Sequence, residues 1–183
     1  MVQSRERISL SIVVFVALFA QAILYSGIPE LVEALGASPE LGAGVLFLGT
    51  EFTAFIIFAA VWGALSDSTG RRVPFIVGGA LVASVAYLFI GIAPSMSIPF
   101  AGVLVLRVVQ GAASVGAFSL ALTMLMDLEG GHGRNMGAAG VSIGAGVALG
   151  VPFGGFIYEV GALVPLYVAS ALMLVAAVFA FLV

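Results

Sequence analysis

The sequence predicts an all-α membrane protein made of six spanning helices. Of its 183 residues, 62% are hydrophobic and only 8% are charged, against about a quarter charged in soluble domains. The apolar residues fall into runs of about 20 or more, the length that crosses a bilayer as a helix. A bilayer otherwise admits only closed barrels. The period-2 alternation of barrel strands is missing from these runs.

The first run, Ile8–Pro29, is too long for a signal peptide, lacks a small-residue cleavage pattern and is followed by more spans, so it counts as structure. The connector Glu30–Leu41 carries Glu30, Glu33 and Glu40. The second span, Gly42–Leu65, leads into Gly63-Ala-Leu-Ser-Asp67-Ser-Thr-Gly70-Arg71-Arg72, read as a tight charged turn. The third span is Val73–Ala93 and the fourth, after Pro94–Ser97, is Ile98–Met126. The connector Asp127–Arg134 precedes a glycine-rich fifth span, Asn135–Tyr158. Glu159–Gly161 then leads to the sixth, Ala162–Val183. Residues 1–183 read as one six-helix bundle.

Charge placement sets the expected orientation. The chain has no lysine. Arg5, Arg7, Arg71, Arg72 and Arg134 fall on one side of the six spans, whereas Glu30, Glu33, Glu40 and Glu159 fall on the other. The positive-inside rule then places both termini and the Gly63–Arg72 stretch in the cytoplasm. A composition rich in Ala, Gly and Val, without Lys or Cys, points to a prokaryotic plasma membrane.

Several function classes are disfavoured. With no cysteine there is no disulfide framework or thiolate metal site, and the single histidine, His132, has no second imidazole to join it, so no metal and no cofactor is expected. There is no basic patch for nucleic acid. No Ser/His pair, Asp dyad or His cluster lies at membrane depth, so an enzyme is not expected.

Polar groups at membrane depth are the candidates for chemistry. A charge near mid-helix costs about 2.5–3.5 kcal/mol on insertion scales and is rarely found there without a partner or an aqueous cavity. Glu51 and Arg107 both lie on the order of 14 Å below the outer ends of their spans, and Gln21 lies at a similar level. The three meet if the first, second and fourth spans are neighbours. A buried carboxylate beside an arginine stays charged, and without a partner it takes up a proton more readily. Arg107, Gln110, Gly111 and Ser114 share one helix face. That face is either polar glue in a helix seam or the wall of a cavity; a full charge favours the cavity. Tyr25 lies near a helix end and reads as an interface anchor or as a lining of the substrate path.

Two further stretches stand out. In the fifth span Gly140 and Gly144, then Gly146, Gly150 and Gly154, recur every four residues, a ridge that admits close helix approach. Pro152 removes a backbone donor and loosens that helix. In the second connector Gly63 permits close approach, Asp67 suits the amide end of a nearby helix, and Gly70 suits a turn. Arg71 and Arg72 are expected to pair with Asp67 or lipid phosphate. Gly63-x-x-x-Asp67 and Gly155-x-x-x-Glu159 end the second and fifth spans on opposite sides, which suggests a 3+3 inverted repeat.

These residues together resemble the major facilitator superfamily. Gly63 to Arg72 is similar to the family's signature between its second and third helices. Arg107-Val-Val-Gln110-Gly111 is similar to that of its fourth helix. Gly146-x-x-x-Gly150-Val-Pro152-Phe-Gly154-Gly155 looks like the fifth-helix signature of proton-driven antiporters, with Val151 displacing the proline. The last two spans look most like the drug:proton antiporter branch, which includes vesicular monoamine transporters. The resemblance covers the N-terminal six-helix half of a fold that has two such halves. It implies a half-size secondary transporter, assembled as a homodimer or with a second half in the lipid bilayer, that exports hydrophobic or cationic small molecules against protons. The alternative is an isolated half or a non-transporting subunit. By resemblance Asp67 would lock the cytoplasmic side, Arg107 would serve coupling, and the Gly/Pro helix would pack on the other half. Antiporters of this branch carry an acid in the first helix, where this chain has Gln21; Glu51 would then take the proton role.

Overall fold

The computed structural model describes residues 2–37 and 41–183, so Glu40 and its immediate neighbours lie outside the described residues. Seven α-helices form six membrane-length spans: α1 (Val2–Ala22), α2 (Ile28–Ala34), α3 (Leu41–Thr69), α4 (Val73–Ile92), α5 (Phe100–Asp127), α6 (His132–Tyr158) and α7 (Val164–Phe181). The first span contains both α1 and α2. It is interrupted after Ala22 and carries a 3-10 turn at Tyr25–Gly27, so it is not the straight helix expected over Ile8–Pro29. Proline sits in the first turn of α2, α4 and α7, where its missing N–H costs nothing.

The Gly63–Arg72 stretch differs from expectation. α3 continues through Asp67 to Thr69, and only the residues around Gly70 form the turn. Gly70 has φ 63°, the left-handed region that ends helices at glycine. In this last turn Ser66, Ser68 and Thr69 return their hydroxyls to carbonyls one turn back.

Helix packing follows an internal symmetry. α1 and α5 lie at the centre and touch each other. α3 packs on α5 as α6 packs on α1; α4 packs on α5 as α7 packs on α1; and α4 packs on α7. Exchanging the first three spans for the last three therefore reproduces these main pairings, the signature of a 3+3 inverted repeat. A buried Ser84 hydroxyl donates to the Ser170 carbonyl at 2.8 Å and ties α4 to α7.

The same symmetry appears in two aromatic latches. Trp62 of α3 lies against Gly116 of α5, and its indole N–H donates to the Ala112 carbonyl at 2.7 Å. Tyr158 of α6 lies against Gly27, and its hydroxyl donates to the Leu24 carbonyl at 2.9 Å. A Cβ at either glycine would come within 3 Å of the ring, so glycine is required at both. The outer helices α3 and α6 expose most of their surface, whereas α1 and α5 are largely buried.

Candidate functional site

At the centre of the bundle, α3 and α5 bring together the two charges expected at one depth. Arg107 Nη2 donates to Glu51 Oε2 at 2.5 Å, and both side chains are 0% exposed. Gly111 makes this possible. One turn beyond Arg107 it lies against the Glu51 backbone and Ala54, so α5 approaches α3 closely. Arg107 Nη1 also donates to Gln110 Oε1 at 2.6 Å, and Gln110 Nε2 donates to Ser114 Oγ at 2.8 Å. The polar face expected on the fourth span is thus a continuous hydrogen-bonded chain, buried against α3.

Two aromatic rings missed in the sequence complete the setting. The Arg107 guanidinium lies 4.3 Å from the centroid of Phe47 and 5.9 Å from that of Tyr87. A desolvated guanidinium gains about 2 kcal/mol from such a face. No motif marks Phe47 or Tyr87. Phe47 is one helical turn before Glu51, which is the only sequence signal for either.

The charges are paired but not saturated. Glu51 Oε1 and Arg107 Nε are buried without a hydrogen-bond partner among the described residues. Gln21 is buried on α1, and its Nε2 likewise has no partner. It is not hydrogen-bonded to Glu51 or Arg107. Tyr25, in the interruption of the first span, has its ring 6.5 Å from that of Phe52, the neighbour of Glu51. The site therefore holds an ion pair with a spare carboxylate oxygen, next to a broken span.

The second expected constellation is arranged differently. Arg72 pairs with Asp127 at 2.6 Å, not with Asp67. Asp67, Gly70, Arg72 and Asp127 line one cleft of about 480 Å³ where α3 ends beside the end of α5. Gly63 has no heavy atom within 4 Å of where a Cβ would stand, so no close approach uses it within this bundle. Arg71 is exposed.

The glycines of α6 separate into two faces, which corrects the single ridge read from sequence. Gly146, Gly150 and Gly154 press on the first span, at Phe15, Ala22 and Ile23 respectively. They therefore pack within the same bundle rather than on another half. Gly140, Gly144 and Gly155 face open space. Gly155, expected to act with Gly154, lies about 100° round the helix from it. Pro152 sits inside α6, which remains continuous, and Ser26 donates to the Val151 carbonyl beside it.

Comparison with known proteins places this architecture. No curated protein matches the chain. The family model of the Major Facilitator Superfamily matches residues 10–183, from within α1 to just past the end of α7. With that match running through all six spans, the chain belongs to the Major Facilitator Superfamily, a family of membrane transporters of small molecules.

Proposed function

We infer that this bundle acts as one half of a proton-coupled transporter that exports hydrophobic or cationic small molecules by alternating access. A second copy of the chain supplies the other half, and both termini face the cytoplasm. The observation that carries this reading is the buried Glu51–Arg107 pair with Glu51 Oε1 unpartnered. A structural ion pair gains most when its remaining lone pairs and protons are hydrogen-bonded. A carboxylate oxygen left open at membrane depth is instead where a proton or a cationic substrate arrives. Protonation there removes the attraction to Arg107, which keeps Gln110 as a neutral acceptor. α3 is then free to move against α5, and rocking of one unit against another about a midplane site is the mechanism that inverted repeats support. Two such bundles would meet through α3 and α6, whose surfaces are the most open.

The reading is tested by substrate-driven proton flux in liposomes that contain only this chain. Flux that disappears in Glu51→Gln while substrate binding is retained supports it. A monomeric chain in lipid with no flux for any cationic or hydrophobic substrate overturns it and leaves the non-transporting subunit. Unchanged coupling in Glu51→Gln removes Glu51 from the proton path.

A further inference from the structure

A groove between α1 and α6, beside the α6 surface through which two copies would meet, combines a cationic head with apolar walls. At its head is Arg7, near the start of α1 and only 8% exposed. Its Nε donates to Asn135 Oδ1 at 2.9 Å and its Nη2 to the Glu129 carbonyl at 3.0 Å. Asn135 is held in place by donating in turn to the Leu128 carbonyl. A guanidinium has five N–H donors, so with two committed, three remain among the described residues. The partners of Arg7 are neutral. The Glu129 carboxylate is engaged by Gln3 at 3.0 Å, and Arg7 forms no ion pair among the described residues. Arg7 is therefore fixed at the edge of the bundle by neutral acceptors, with the Glu129 carboxylate bonded to Gln3 and N–H groups to spare among the described residues.

Below it the groove, of about 350 Å³, is almost entirely apolar. It runs past Ile8, Ile12 and Phe15 of α1 and Val141 and Ala145 of α6. Both helices leave this end of the bundle in the same direction, since Arg7 touches the start of α6 at Asn135. The stretch from Ile8 to Phe15 rises on the order of 10 Å, so the groove runs along the bilayer normal.

We propose that this groove is a binding site for an anionic phospholipid, whose phosphate sits on Arg7 and whose acyl chain lies along Ile12, Phe15 and Val141. Basic pockets between spanning helices at the membrane interface select anionic head groups, and guanidinium binds phosphate through parallel N–H donors. An apolar helix in the groove would cover its walls but offer no acceptor to the remaining Arg7 N–H groups; a phospholipid supplies both. Arg5 and Arg134 lie on the first turns of the same two helices, with Glu6 between Arg5 and Arg7 and Glu129 before α6.

The test uses the full chain in phosphatidylcholine nanodiscs containing a minor fraction of phosphatidylglycerol with a photoreactive acyl chain, and maps the labelled peptides by mass spectrometry. Label is expected to concentrate around Phe15 and Val141. Arg7→Gln lowers it about fivefold. Val141→Trp, which fills the groove and keeps the charge, lowers it comparably and decides the matter if Arg7→Gln does not fold. Excess inorganic phosphate does not compete, because a free anion lacks the chain. Equal labelling by a phosphatidylcholine probe, equal labelling in Arg7→Gln, or label spread evenly round the bundle overturns the proposal. So does a disulfide between two copies carrying Val141→Cys with the groove unlabelled, which assigns the groove to a second copy. None of these readouts depends on transport.

Discussion

Substituting alanine at two adjacent glycines of α6 should give opposite results. At Gly154 an added Cβ overlaps the Ile23 carbonyl oxygen and stands 2.6 Å from Ser26 Oγ. Carbon–oxygen contacts between packed helices normally fall at about 3.3–3.6 Å, so α6 has to withdraw from α1 by about an ångström. The retreat also loosens Gly150, whose Cβ position lies 2.5 Å from that of Ala22, and Gly146, at 2.9 Å from the Phe15 carbonyl oxygen. Overpacking of this kind costs about 1–3 kcal/mol. At Gly155 nothing lies within 4 Å, so Gly155→Ala meets no obstacle there. It gains about 0.5–1 kcal/mol from reduced freedom of the unfolded chain. The expected separation is about 1.5–4 kcal/mol between neighbours. It is measurable as unfolding of the detergent-solubilised chain followed by fluorescence of Trp62, the single tryptophan. If Gly154→Ala is as stable as Gly155→Ala, the α1–α6 seam is not packed as described. If both lose stability equally, α6 has a second partner on its open face.

Glu51→Ala strands the Arg107 charge and should cost about 3–5 kcal/mol, whereas the double variant Glu51→Ala/Arg107→Leu recovers most of it; a double-mutant cycle reads the coupling. Trp62→Phe and Tyr158→Phe each remove one hydrogen bond to a carbonyl of the central helix or its extension and should each cost about 1 kcal/mol in thermal unfolding. Arg72→Gln breaks a pair whose side chains are 30% and 59% exposed. Its cost should stay below about 1 kcal/mol and shrink further in high salt, as melting curves at two ionic strengths will show.

The six spans were readable from sequence because length and hydropathy alone define them in a bilayer. The meeting of Glu51 with Arg107 was readable because a charge at that depth requires a partner, and residue counting placed both at one level. What escaped depends on direction round a helix axis. The repeat of glycines every four residues looked like one ridge. Yet Gly144 and Gly146 are about 200° apart on a helix, and only packing shows that α1 takes one face and leaves the other. Gln21 was read at a depth similar to that of the pair, but its amide makes no bond to it, since depth does not fix azimuth. The interruption of the first span was signalled locally by Gly27 and Pro29, the proline denying an N–H to the Tyr25 carbonyl one turn back. It went unread because Pro29 was taken only as the end of the span. The Arg72–Asp127 pair was missed for a simpler reason: Asp67 is nearer in sequence, but α3 stays helical to Thr69 and keeps it on the helix surface.

The exchange symmetry of the helix neighbours has a consequence for biogenesis. Turned over by its pseudo-two-fold axis, the bundle presents much the same main helix pairings to the membrane. Backbone packing therefore contributes little preference for one insertion direction. That preference rests on a few side chains at the helix ends, chiefly Arg5, Arg7, Arg71, Arg72 and Arg134, set against Glu30, Glu33 and Glu159. A membrane protein of this kind can exchange its orientation through a handful of terminal charges while its interior remains unchanged.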